Sequence, residues 1–214
     1  VTWPVLLRRR SRSEFGAEYR VEDEDAYYST ELDVFADHLF RLGDRPSWLV
    51  GMSWLTTTLD VLSDDPEAFE ARPGQQLLFD TRWYYDGVDD PLDPSRGRRL
   101  RFEAETAPPF TFADATFASV RGAWVEVNSL AEQTVLATRL DVATAWPLGD
   151  APDLLPTQRW FGGGFNTHRG APRRGLGPVD SEGDPVGGEW RLLAGVELRQ
   201  RFGDWLGASL FVDT

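Results

Sequence analysis

The sequence predicts an all-β fold, an antiparallel transmembrane β-barrel of the outer-membrane type that is incomplete within these 214 residues. Three observations predict it. Apolar and polar residues alternate with a period of two over nine segments, many of about ten residues or longer, whereas strands of globular proteins run about five or six. The polar parity carries charges of both signs on nearly every segment, as the wall of a water-filled lumen would. Trp and Tyr gather toward segment ends, at Trp48, Tyr85, Trp146, Trp190 and Trp205, where interfacial girdles sit.

Composition narrows the function classes. No run of about 18 apolar residues exists, which excludes a transmembrane helix, but a transmembrane strand needs only about ten residues of alternating character. With no cysteine, disulfides and thiolate metal sites are excluded. The two histidines, His38 and His168, lie far apart, so no zinc site is expected. A net charge of −13 argues against binding nucleic acid through its phosphates.

The strands follow in chain order. Phe15, Ala17, Tyr19 and Val21 oppose Glu14, Glu18, Arg20 and Glu22. Weaker alternation covers Thr30 to Arg41 and Trp48 to Leu59. Leu77, Phe79, Thr81, Trp83 and Tyr85 oppose Gln76, Asp80, Arg82 and Asp86. Leu100, Phe102 and Ala104 oppose Arg99, Arg101, Glu103 and Glu105, and a weaker segment runs from Phe117 to Val127. Leu136, Leu140, Val142 and Trp146 oppose Arg139 and Asp141. Trp190, Leu192, Ala194, Val196 and Leu198 oppose Glu189, Arg191, Glu197, Arg199 and Arg201, with Leu193 and Gly195 among these charges, and in the last segment Leu206, Ala208, Leu210 and Val212 oppose Ser209 and Asp213. As a helix, these charges would spread around the axis; as strands, they fall on one face.

Turn-rich segments separate the strands: Asp64-Asp65-Pro66, Asp89 to Pro94, Pro108-Pro109, and a long stretch from Pro147 to Gly187 that holds nine glycines. A loop of that length inside a compact domain is read as functional. A soluble antiparallel sandwich gives the same alternation and stands as the competing fold.

Enzymatic signatures are missing. Gly51-Met52-Ser53-Trp54-Leu55 fails the nucleophile-elbow pattern at its last place. Gly162-Gly163-Gly164 lacks the helix of a phosphate loop. Glu22-Asp23-Glu24-Asp25 reads as a solvated turn, and Asp180 to Asp184 lacks the closing Glu of a calcium loop. His38 shares parity with Leu32, Val34 and Phe40 and reads as a packed or interfacial imidazole. No catalysis, cofactor or metal is expected.

The segment from Arg159 to Asp213 resembles the bacterial surface antigen barrel of the BamA/TamA outer-membrane assembly factors. The residues that carry the resemblance are Trp160-Phe161-Gly162-Gly163, His168-Arg169-Gly170-Ala171, Leu176-Gly177-Pro178, Gly187-Gly188, Glu197 and Phe211-Val212-Asp213. Upstream, Asp89 to Gly97, with Pro94 and Gly97, is similar to the family's Asp-rich Pro…Gly turn, and the spacing leaves room for two strands between that turn and the long loop. The loop motif departs from the family's Val-Arg-Gly-Phe/Tyr in lacking the aromatic residue, since Ala171 stands there.

The resemblance implies an integral protein of the bacterial outer membrane. It would insert β-barrel clients, with outer-membrane lipid, unfolded outer-membrane proteins and periplasmic or inner-membrane assembly subunits as partners. It implies residues 1–214 to be part of a C-terminal barrel domain, with the loop at about 148–187 directed into the lumen and with POTRA domains and last strands lying elsewhere. It also places the loop arginine and two acidic partners at Arg169, Glu197 and Asp213. Parity alone puts Glu197 and Asp213 on the polar faces of consecutive strands, where a forked guanidinium could meet both. The alternatives are a two-partner secretion transporter, the barrel of a patatin-type lipase, and a soluble β-sandwich binding module.

Overall fold

The computed structural model describes residues 11–62, 74–110, 113–151, 153–165, 167–203 and 205–214. Nine strands form from the alternating segments: β1 Ser11–Glu24, β2 Tyr27–Arg41, β3 Pro46–Val61, β4 Gln75–Asp86, β5 Gly97–Ala107, β6 Phe117–Ala131, β7 Thr134–Pro147, β8 Trp190–Phe202 and β9 Leu206–Asp213. Each pairs antiparallel with its sequence neighbour in one sheet ordered β1 to β9. A sandwich requires two facing sheets, and the described strands form one. The Asp64-Asp65-Pro66 turn and the residues Val1-Thr2-Trp3 lie outside the described residues.

Register keeps one parity outside. Val34 lies opposite Trp54, Trp54 opposite Leu77, Phe102 opposite Trp83, Trp124 opposite Leu140, and Val142 opposite Leu192. Most of this parity is exposed, from Phe15 and Tyr19 in β1 to Leu210 and Val212 in β9, while Leu77 and Trp83 are half-buried. A contiguous apolar face this broad is what a bilayer covers. Trp48, Tyr85 and Trp205 sit at the end with connections 42–45, 87–96, 132–133 and 203–205, while Trp146 and Trp190 sit at the other. Two aromatic rows therefore flank the apolar band.

The opposite face is polar, and its hydrophobic clusters among the described residues lie near the end where β7 hands over to β8. There Leu78, Ala107, Phe117 and Ala145 of the strands enclose Leu154 of the long loop, and Ala115 encloses Leu155. Burying one leucine side chain contributes about 1.5–3 kcal/mol, so this pair fixes the start of the loop against the inner wall. The sheet thus curls around its own loop, and the core lies inside the curl.

Candidate functional site

The connection 148–189 leaves β7 through a reciprocal tie: Leu148 donates its N–H to the Thr116 carbonyl, and the Thr116 hydroxyl donates back to Leu148 at 2.5 Å. A 3-10 turn at Pro156–Gln158 follows, and its Gln158 side-chain amide donates to Gln76 of β4 at 3.2 Å. The chain then doubles back on itself through bridges between Trp160 and Gly188, Gly162 and Leu176, and Gly164 and His168. Gly163 makes the fold-back possible. Its φ is +99°, and a Cβ there would collide with the Pro172 carbonyl. Gly177 and Gly187 also have positive φ, and Gly188 sits in the bridge to Trp160.

At the tip, Arg169 meets the inner face of β8 and β9. Its Nε donates to Asp213 Oδ2 at 2.8 Å, its Nη2 to Asp213 Oδ1 at 3.0 Å, and its backbone N–H to Asp213 Oδ2 at 3.1 Å. Nη1 donates to Glu197 Oε2 at 2.5 Å. The guanidinium lies 3.5 Å from the Phe211 ring centroid. The Asp213 side chain is 2 % exposed, Arg169 21 % and Glu197 25 %. The hydrogen bonds to Asp213, opposed by desolvation and reinforced by those to Glu197, raise the Arg169 pKa above its already high range. Gly170 follows Arg169 in this turn, its Cβ direction facing the His168 ring.

Two contributors carried no signal in the resemblance. Arg139 of β7 reaches Asp213 Oδ1 at 2.8 Å and donates to the Thr167 carbonyl at 2.5 Å, so Asp213 bridges two arginines and two elements. Gly195 lies directly opposite Asp213. A Cβ there would stand 2.5 Å from Arg139 Nε and 2.8 Å from Asp213 Oδ1. Arg139 was legible in the sequence only as a polar-parity residue, and Gly195 only as a small residue among the inward charges.

The Pro94 and Gly97 turn lies at the other end. Asp89 Oδ1 accepts the N–H groups of Asp90, Ser95 and Arg96, and Oδ2 accepts the Ser95 hydroxyl at 2.5 Å. That hydroxyl, followed by the Arg96 N–H, depresses the Asp89 pKa well below the ordinary carboxylate range. Gly97 opens β5 with φ +109°. The turn reaches across to β8: Arg199 donates to the Pro94 carbonyl at 3.4 Å, and Arg201 pairs with Asp93. The structure therefore holds Arg169, Glu197 and Asp213 together and keeps Pro94 and Gly97 at a separate place.

A single sheet with an apolar outer face, aromatic ends and a loop folded against its polar interior defines a β-barrel wall of the outer-membrane type. The chain belongs to the Omp85 superfamily, whose domain model matches residues 2–214. Its fold is like that in the crystal structure of BamA from Haemophilus ducreyi lacking POTRA domains 1-3, with a TM-score of 0.80 at 16 % sequence identity. The likeness covers 95 % of this chain and 45 % of that one, so the chain spans less than half the length of that structure. No curated protein matches the sequence.

Proposed function

We propose that this chain is barrel wall from an outer-membrane assembly factor that folds and inserts β-barrel clients into the bacterial outer membrane. The single observation that carries the reading is the loop tip pinned inside the curl, with Arg169 shared between Asp213 and Glu197. Superfamily membership supports it. In this reading residues 1–214 belong to a larger barrel domain, and the loop braces the wall from within. Client strands are accepted by strand addition at an exposed sheet edge, where backbone groups supply the hydrogen bonds. The partners are outer-membrane lipid, unfolded outer-membrane proteins and assembly subunits on the periplasmic or inner-membrane side. No side chain is given a bond-making role.

The test is insertion of an unfolded barrel client into liposomes holding the intact protein. Arg169→Ala should slow insertion, Arg169→Lys should rescue poorly because an ammonium lacks the planar fork that holds Asp213 through two parallel hydrogen bonds while reaching Glu197, and Arg173→Ala should leave the rate near normal. Insertion that proceeds equally well with Arg169→Ala would refute the role of the loop. Release of a soluble client on the far side, with no insertion, would favour a secretion transporter instead.

A further inference from the structure

We infer that Arg174 is a second and separate anchor of the loop, holding its returning arm to the β1–β2 turn, so that the loop is strapped across the interior between two walls of the sheet. The inference rests on the geometry of the loop and not on the assembly role.

Arg174 is enclosed, with its side chain 18 % exposed. Its Nη2 donates to both carboxylate oxygens of Glu22 at 3.1 Å, Nη1 donates to the Tyr27 hydroxyl, and Glu24 lies 3.5 Å away. The Tyr27 hydroxyl donates onward to Glu22 at 2.8 Å, and Tyr27 is fully buried. On its other side the guanidinium lies 4.4 Å from the Phe161 ring centroid. Phe161 and Val186 of the loop pack on Ala26 and Tyr27. This is a built site: a planar cation fits between an aromatic face and a forked carboxylate whose far side is fixed by a buried phenol.

The backbone carries a second, independent sign. Arg174 is the one non-glycine residue with positive φ among the described residues, at 57°. L side chains avoid that region, and such a conformation persists where surrounding contacts over-determine it. Here those contacts are the ones at the far end of the Arg174 side chain. The acidic run Glu22 to Asp25, which the sequence presents as a solvated turn, supplies the receptor. Its neighbour Arg173 also touches Glu24, at 2.7 Å, but is 70 % exposed.

The two anchors engage opposite ends of the strand order. Arg169 holds β8 and β9, and Arg174 holds β1 and β2. Five peptide units separate them, a span of at most about 18 Å when fully extended. With both engaged, the distance between the β9 wall and the β1–β2 turn is set by a short piece of chain and two arginine side chains. Each anchor uses its own carboxylates, so releasing one leaves the other intact.

The experiment is hydrogen exchange, resolved by peptide, on the intact protein in bilayers. Arg174→Gly removes the side chain while keeping the left-handed backbone free of strain. It should raise exchange over 171–187 by tenfold or more and leave the amides of Arg169 and Gly170 protected. Tyr27→Phe, which removes a single hydroxyl, should give a smaller rise over the same residues, and Arg173→Ala none. Exchanging the partners, as Arg174→Glu with Glu22→Arg, should restore most of the protection. Unchanged exchange in Arg174→Gly would overturn the inference, and so would equal loosening of 167–170 or failure of the exchanged pair to restore protection. If Arg174→Gly does not fold, Tyr27→Phe decides by the same criterion. Raised exchange over 171–187 with normal client insertion would count against the assembly role of the loop and leave the strap in place.

Discussion

Asp213 concentrates the charge of the inner wall. It is almost fully buried, takes three hydrogen bonds from Arg169 and pairs with Arg139, and faces a glycine on the neighbouring strand. A buried carboxylate is stable only when its lone pairs are met, and here two guanidiniums from different elements meet them. Gly195 is part of the arrangement because a side chain there would occupy the space of Arg139 and Asp213. Gly195→Val should therefore destabilise the protein by about 1–3 kcal/mol. Gly122, which has open space where its Cβ would be, should accept alanine at little cost. Denaturation midpoints of the two variants in detergent check this, and equal midpoints would remove the crowding argument. The same scale shows where sequence reading stopped. The pairing of Arg169 with Glu197 and Asp213 was legible because parity and motif agree. Arg174 was not, since an arginine next to another arginine in a glycine-rich loop looks solvated until the fold brings Glu22 and Tyr27 to it.

Among the strands, β4, β5 and β8 were the most legible, because their inward positions carry charges and their outward positions carry apolar or aromatic residues. β2, β3 and β6 alternate less cleanly for a physical reason. Where the loop covers the inner wall, inward residues become apolar: Leu55 and Phe117 pack against Leu154. β2 also starts at Tyr27, three residues before its alternation becomes visible, because Tyr27 faces inward under Arg174. In β8, Leu192 and Val196 are 56 % and 48 % exposed on the outer face. Arginine at either site should cost about 2–4 kcal/mol if it lies near the bilayer midplane, and less at the inward positions of the same strand. Cysteine labelling in membranes gives a second check: Leu192→Cys and Val196→Cys should resist water-soluble reagents that reach Arg199→Cys. The β4–β5 turn responds to pH. The Asp89 carboxyl is acidified in the folded state, so its contribution is present above the ordinary Asp pKa of about 4 and is lost as pH falls through the lower folded value. Amide protection at Ser95 and Arg96 should weaken only in that acidic range, and Asp89→Asn should abolish the pH dependence.

Across the whole molecule, the described sheet is open: β1 pairs with β2 alone and β9 with β8 alone. Lipid offers no partners for the backbone groups of an unpaired edge. The 214-residue chain by itself should therefore give no sharp, heat-modifiable monomer band in detergent, and such a band would show that the edges close on one another. What joins the two ends of this sheet is the loop, pinned at β8–β9 by Arg169 and at β1–β2 by Arg174. The most direct measurement is a double-mutant cycle on unfolding free energy in the intact protein, with Arg169→Ala, Asp213→Asn and the two combined. A loop held inside the wall by this pair requires a coupling of about 1–3 kcal/mol. A coupling of zero within error would place Arg169 among solvated arginines and the loop outside the wall.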